Sequence, residues 1–438
     1  MCNPKKHLSC DSLIAGLRAF LSDIEDPRQD SKVRYALADV GLSAFACMFF
    51  QDPSMLAFQK RMQDKRERSN FNRIFQVETI PESTQLRDVI DQVPSESIKP
   101  FFGEVFKRLQ RGKHLEQFQH FRGKYLVSID GTQYFTSQKI SCNHCLTKKK
   151  NSDTTYSHQA LQAALVCPGM KQAIPLMAED IGNRDGKGKQ DCEINAAKRL
   201  IPALRQQHPQ LDMILLGDSL FSKHTLIEAA KSKRMDFILT AKPGDHKHMF
   251  SWIADHGELP EFRQEQEKCQ EYVYSWINNV PLGAKKDAYD VNFLQLEIYR
   301  TNKDTGEKKR TFRCSWVTNL ALCQNNVARI AEAGRCRWKI ENECFNNLKN
   351  QGYCLEHNFG HGNSHLAFNV YLLTLLAFLF HQVFELTDKL YIEARSRWSL
   401  RMLWERIRGL ARWLLFDSWH QLMAHCLDPP EIASPVKK

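Results

Sequence analysis

Two apolar runs, each finished by a carboxylate, constrain this chain more than any other feature. Tyr125-Leu126-Val127-Ser128-Ile129 leads into Asp130, Gly131 and Thr132, and Met213-Ile214-Leu215-Leu216-Gly217 leads into Asp218. Short apolar runs of this kind predict buried strands, of the sort a sheet covered by helices contains. A carboxylate at the exposed tip of such a strand can point into the crevice where open α/β sheets bind ligands. A third acid, Glu341, lies in the helical stretch Arg337-Trp338-Lys339-Ile340-Glu341-Asn342-Glu343. One aspartate at a strand end is commonly only a turn or cap residue; the conjunction of three acids is what points further. Gathered together they repel, so such a cluster holds a cation, and hard oxygen ligands suit a pair of Mg2+ (or Mn2+) ions. Two such ions flank the attacking and leaving oxygens of a phosphodiester.

The order of elements around these runs predicts the architecture. From 121 to 245 come strands at 125–130, 133–138 and 161–167 with a continuation at 173–177, then a helix at 192–207, the strand 213–217, a helix at 223–233 and a strand at 237–241. Strands first, then alternating helix and strand, predict a mixed sheet with helices on its faces. A β-rich insertion follows over 246–320, with strands at 272–280, 291–299 and 310–317 and a turn at Asp304-Thr305-Gly306. Residues 321–385 complete the core, with a helix running from Asn325 through Glu341 to about 351. The apolar segment 366–384 is interrupted by Asn369, His381 and Gln382. Its unbroken apolar stretch falls short of the ~20 residues a membrane span needs, which predicts a buried core helix.

The two ends read as helical. Residues 1–120 carry apolar helical spacing and a basic cluster, Lys60, Arg61, Lys65, Arg66, Arg68 and Arg73, with Phe71 and Phe75 among them. Residues 386–438 mix tryptophans with arginines, and packing is their expected main role. A net charge of +11 favours a polyanionic partner, which makes 1–120 a candidate DNA-binding region.

The 14 cysteines are scattered and no apolar leader precedes them, so reduced thiols and a cytoplasmic location, without a membrane, are expected. Cys142-Asn143-His144-Cys145 is a C-x-x-C that could hold a structural Zn2+ if two of His144, His158, Cys167 and Cys192 joined it. Plain reduced cysteines are the other reading. Lys187-Gly188-Lys189-Gln190-Asp191-Cys192-Glu193 lacks a phosphate-loop pattern and reads as a loop into a helix capped by Asp191. His357, His361, His365, Trp276 and Trp316 have no assigned role.

Ser128-Ile129-Asp130-Gly131-Thr132, Leu216-Gly217-Asp218-Ser219-Leu220-Phe221 and Arg337-Trp338-Lys339-Ile340-Glu341 together resemble the catalytic blocks of DDE transposases of the insertion-sequence-four type. The resemblance covers roughly 120–385. It implies an α/β fold: a ribonuclease-H-like mixed sheet with flanking helices, interrupted by a β-rich insertion, plus helical N- and C-terminal regions. It also implies that Asp130, Asp218 and Glu341 are catalytic and bind Mg2+. Arg337 and Lys349 would grip phosphates of double-stranded DNA, and a homo-oligomer would cut element ends and join them to a target.

The family's third block reads Tyr, two residues, Arg, three residues, Glu, six residues, Lys. Here Gly334 stands at the Tyr position and Lys349 falls one residue late. Glu341 is preferred to Glu343, because Arg337 and Glu341 share one face of an α-helix while Glu343 points about 200° away, and Lys349 is turned ~80° from Glu341. Two alternatives accompany this reading: a non-catalytic DNA-binding repressor derived from a transposase, and a ribonuclease-H-like nuclease without strand transfer.

Overall fold

In the computed structural model of the protein, which describes residues 6–428 apart from 30, 32, 184–189, 267–268 and 285–288, ten strands form one mixed sheet. Its first half contains β1 (Tyr125–Ser137), β2 (Leu146–Lys150), β3 (Asp153–Val166), β4 (Ile174–Ile181), β5 (Met213–Gly217) and β6 (Asp236–Thr240). β3 runs antiparallel to β1, and β2 and β4 share the outer edge of β3. On the other side β1, β5 and β6 are parallel neighbours. The resulting order β4-β3-β1-β5-β6, a three-strand meander followed by two parallel strands, is the ribonuclease-H-like arrangement that was expected.

Two expected strands are one. The runs at 125–130 and 133–138 form the single β1, which carries a register shift between Gln133 and Phe135. Gly131-Thr132 reads as a turn from composition, yet both residues stay in the β3 ladder, opposite Leu161 and Ala160. Asp130 therefore lies inside β1, opposite Gln162, and not at its tip. The parallel neighbour is shorter. β5 pairs only with Tyr125 to Ser128, so Asp130 lies just past the last paired residue.

The insertion extends the same sheet. β10 (Lys308–Thr318) pairs antiparallel with β6, and β9 (Asp290–Thr301), β8 (Gln270–Pro281) and β7 (Glu261–Gln266) follow outward. β7 has no apolar alternation, as Glu261-Phe262-Arg263-Gln264-Glu265-Gln266 makes plain, so sequence periodicity missed it. A charged edge strand of this kind resists pairing with other chains.

The helices are α1 (Cys10–Ser22), α2 (Leu37–Phe49), α3 (Met55–Met62), α4 (Lys65–Phe75), α5 (Ser83–Gln92), α6 (Pro100–Arg111), α7 (Glu193–Gln207), α8 (His224–Ser232), α9 (Lys247–Asp255), α10 (Val327–Arg335), α11 (Asn346–Asn350), α12 (Leu366–Thr387), α13 (Lys389–Arg397), α14 (Leu400–Trp413) and α15 (Trp419–Leu427). α12 is long and apolar enough to cross a membrane by composition, but 94% of its apolar window is buried inside the protein. It packs on β4, α2, α5 and α13 as a central helix. One apolar cluster runs through the N-terminal helices, the sheet and the C-terminal helices, and the segment boundary expected at 385 falls inside α12.

The N-terminal basic cluster is partly structural. Arg61 is buried between Asp52 (2.6 Å) and Glu67 (3.1 Å), and Phe71 and Phe75 lie in the core. A guanidinium taken from water needs such carboxylates, and aromatics four apart share the buried face of α4. Lys60, Lys65, Arg68 and Arg73 remain exposed. At the other end Trp404 and Trp419 are core residues, as expected, while Trp413 is exposed.

α12 is held at its start by a residue far away in sequence. The Asp91 carboxylate accepts the backbone N–H groups of Asn363, Ser364, His365 and Leu366 at 2.8–3.0 Å. Asn369 donates to Ile90 O and Val93 O, both at 2.8 Å. Burial pushes the Asp91 carboxyl up, but the four donors outweigh it and hold the group below its ordinary value. A depressed carboxyl stabilises the fold above its unfolded pKa of about 4 and loses that contribution as pH falls through the folded value. Asp91→Ala is expected to cost about 2 kcal/mol at pH 7, and progressively less as the pH is lowered below about 4. Thermal melts of both proteins across that range check this; an equal deficit at both ends would separate the clamp from the carboxylate charge.

Candidate active site

The polypeptide that carries Glu341 is broken where one helix was expected. α10 ends at Arg335, a turn spans Cys336 and Arg337, and Ile340–Phe345 winds as a π-helix before α11 resumes. Such wide turns occur frequently at functional sites. Two contacts fasten this segment to the sheet. Ser128 Oγ donates to Arg337 O at 3.0 Å, and Gln162 Nε2 donates to Cys344 Sγ at 3.0 Å. Gln162 is in turn held by Tyr371 of α12, whose hydroxyl donates to Oε1 at 2.8 Å.

These fastenings bring Glu341 to Asp130. The two carboxyl groups hydrogen-bond one another, and Arg337 Nη1 reaches both, at 3.1 Å to Asp130 Oδ2 and 2.5 Å to Glu341 Oε1. Burial, the hydrogen bond that Asp130 donates to the Glu341 carboxylate and the charge of that carboxylate push Asp130 up to about 7, against the pull of Arg337. Glu341 goes the other way: burial raises it, and Asp130 and Arg337 together hold it below its ordinary value. A carboxyl pair sharing one proton beside a single guanidinium behaves this way.

Asp218 follows β5 directly. The β1–β5 register ends at Ser128 opposite Leu216, and two further residues along each strand are Asp130 and Asp218. Asp218 Oδ1 accepts Leu220 N–H at 2.8 Å, and its carbonyl accepts Phe221 N–H at 3.1 Å, which sets the turn. Ser222 braces that turn from beneath, donating to Ser219 O (2.9 Å) and meeting His246 Nε2 (2.6 Å).

A fourth carboxylate completes the arrangement, and sequence reading missed it. Glu193, the first residue of α7, lies against Gly131. A Cβ on Gly131 would stand 2.3 Å from Glu193 Oε1, so a side chain there would push the carboxylate aside. Burial first, and the Asp218 charge second, push Glu193 above its ordinary value. Glu193 thus lies against Asp130's neighbour in the strand and within electrostatic reach of Asp218. The only trace in the sequence is an acid opening a helix that follows the meander, a position helix dipoles favour in any protein. The expected cap Asp191 pairs instead with Arg199 at 2.8 Å, and Cys192 takes the N-cap position. Lys187, Gly188 and Lys189 lie outside the described residues.

The other third-block residues fall as follows. Glu341, not Glu343, is the acid that meets Asp130 and Arg337. Arg337 is committed to carboxylates in this structure. Lys349 pairs with Glu356 at 2.8 Å, and the α-helical 80° offset from Glu341 does not apply across a π-helical stretch. Gly334 has a packing reason: a Cβ there would come within 2.7 Å of the buried Trp316 indole, so no Tyr fits.

The C-x-x-C gathers two partners. Cys142, Cys145, His158 and His361 place their ligand atoms within 4.8 Å of one another. His158 was among the expected ligands, whereas His361 was unassigned; His144, Cys167 and Cys192 are not in the cluster. Among the described residues no other group of three or more His, Cys, Asp or Glu is that tight, so the four acids above stand further apart than these.

No family model matches the chain, and no curated protein matches it. Among solved structures it is similar to a cryo-EM structure of a piggyBac transposase synaptic complex with hairpin DNA, at 10% identity and a TM-score of 0.41, over 97% of this chain and 82% of that one. At that TM-score the likeness carries no weight for activity; the fold assignment rests on the strand order above.

The raised Asp130 carboxyl makes a prediction about stability. Its charge is disfavoured in the folded state, so the wild type should lose stability as pH rises from about 4 through about 7. Asp130→Asn removes that penalty and leaves Glu341 paired with Arg337. The variant should therefore be more stable by about 1–3 kcal/mol above pH 7, with the difference closing towards pH 4. Denaturant melts at both pH values measure it, and a variant less stable than wild type at pH 8 would refute it.

Proposed function

We propose that this chain is a metal-dependent DNA-processing enzyme of the DDE transposase kind, which cleaves element ends and transfers the strand to target DNA. What supports the reading is that Asp130 meets Glu341, that Glu193 lies against Gly131 and senses the Asp218 charge, and that Asp218 follows β5, the parallel neighbour of β1. Carboxylates do not gather at a partly buried site without a cation to balance them, and here one guanidinium serves two of the four. The donor set is hard oxygen throughout, which fits Mg2+ or Mn2+. Asp130, Asp218 and Glu341, with Glu193 beside them, would hold the ions. When bound, such ions activate an attacking hydroxyl and stabilise a leaving oxygen.

The chain's own residues supply position and charge. Asp130 and Asp218 are set by the strands, so their spacing follows the sheet. Glu341 is carried on the π-helical segment that Ser128 and Gln162 fasten down. Arg337 restrains both acids before cations arrive. Released from them, its planar fork suits a phosphate oxygen pair. Exposed lysines and arginines of the N-terminal helices and the net charge of +11 suit double-stranded DNA as partner. Strand transfer calls for two ends at once, which makes a homo-oligomer the active form.

The test is incubation with Mg2+ or Mn2+ and DNA carrying the chain's own flanking ends, followed on denaturing gels. Wild type should yield cut ends and joined products. Asp130→Ala, Asp218→Ala and Glu341→Ala should each abolish cutting while end binding persists, and the losses should not add. Glu193→Gln should slow cutting roughly 10–100-fold. Binding without any cutting would favour a repressor, and cutting without joining a nuclease; either outcome overturns the reading.

A further inference from the structure

We propose that Cys142, Cys145, His158 and His361 form a zinc site that pins the polypeptide following the Glu341 helix to the sheet. It is separate from the carboxylate cluster and stands whether or not the chain cuts DNA.

Four of the six ligand-to-ligand separations match the edges of a tetrahedron, and all six lie within 4.8 Å. Cys142 Sγ and Cys145 Sγ are 3.9 Å apart, His158 Nε2 is 3.5 Å from each sulfur, and His361 Nε2 is 3.4 Å from Cys145 Sγ. A zinc ion with Zn–S of about 2.3 Å and Zn–N of about 2.0 Å sets tetrahedral edges near 3.8 Å for S–S and about 3.5 Å for S–N. The four observed separations each fall within about 0.2 Å of those edges. Two thiolates and two imidazoles are a donor set that zinc takes in structural sites, and that hard cations such as Mg2+ refuse.

The surroundings are built to hold the ligands in place. Cys142 N–H points at Cys145 Sγ at 3.5 Å, and Cys145 N–H donates to Cys142 O at 3.2 Å, which closes the C-x-x-C turn. Asn183 donates to Cys145 O and His144 O at 3.0 and 3.2 Å, tying the turn to the end of β4. Tyr134 stacks on His158 at 5.8 Å and Phe135 lies 4.7 Å from His361, so aromatic rings hold both imidazoles in place. A reduced pair of plain cysteines accounts for none of this convergence.

The ligands come from three places in the chain: the loop after β1, strand β3, and the loop 351–365 between α11 and α12. That last loop is the continuation of the segment carrying Glu341. A metal there clamps the loop to β1 and β3, the strands that carry Asp130 and Gln162.

The full-length chain, purified without chelator under reducing conditions, is expected to carry about one zinc by elemental analysis. Stripped of zinc and titrated with Co2+, it should develop the visible bands of tetrahedral thiolate-bound cobalt. Cys145→Ser and His361→Ala should lose both signals, while Cys192→Ser, at an exposed cysteine, should keep them. Chelation should lower the melting temperature by several degrees and open 351–365 to limited proteolysis. A wild-type chain that holds no zinc and gives no cobalt bands overturns the proposal, as does a Cys142–Cys145 disulfide found in its place. The wild-type cobalt titration decides the matter even if the variants fail to fold. These readouts need no DNA, so a zinc-bearing chain that does not cut leaves this site standing and overturns only the catalytic reading.

Discussion

An apolar helix with no side fit for water governs the layout. From Leu366 to Phe384 all but one residue of α12 are buried, and only layers of protein on every side can satisfy such a segment. α2, itself buried along its whole length, covers one part; β4, α5 and α13 cover others. The few polar groups inside α12 then specify which layers go where. Asn369 fixes α5, Tyr371 fixes β3 through Gln162, and His381 Nδ1 and the Tyr353 hydroxyl share a hydrogen bond at 2.5 Å. A buried polar group favours the packing that gives it a partner, so these hydrogen bonds convert greasy contacts into defined ones.

The same relay reaches the acids. Gln162 sits opposite Asp130 in the sheet and holds Cys344 in the π-helical segment, so one side chain links the central helix, the strand of Asp130 and the carrier of Glu341. Gathering carboxylates costs electrostatic energy, visible in the raised Asp130 and Glu193. Packing elsewhere sustains that cost: the strands hold Asp130 and Asp218 together whether or not they repel. Arg337 offsets part of it. Proteins accept such local strain where chemistry needs it, which is the physical reason for reading the cluster as a site.

The insertion is an extension of the core. By pairing β10 with β6 it lengthens the sheet beyond the parallel strands, and α10 packs back on β6, β8 and β9. Gly334 lets that helix sit directly on Trp316, so the orientation of the following segment, with Arg337 and Glu341, depends on a contact made in the insertion. The sheet thus sets Asp130 from one end and Glu341 from the other.

The apolar strand runs, their order, the antiparallel insertion and the buried helix at 366–384 were legible in the sequence, because each follows from local periodicity of apolar residues; the polar strands β2 and β7 were not. Asp130, Asp218 and Glu341 stand out in the sequence as candidates, since each stands at a punctuated point of such a pattern. The continuity of β1 was not, because Gly131-Thr132 looks like a turn until the neighbouring Glu193 explains the glycine. Glu193 and His361 were invisible for one reason: an acid at a helix start and a histidine in a loop are locally ordinary, and their meaning lies in partners far off in sequence, beside Asp218 and Cys145. Arg337 keeps the spacing of a phosphate ligand and Lys349 falls one residue late, yet which charge each meets was decided by a π-helical turn and by Glu356. Sequence periodicity determines what each segment becomes; which carboxylates, thiols and cations meet is a property of long-range packing alone.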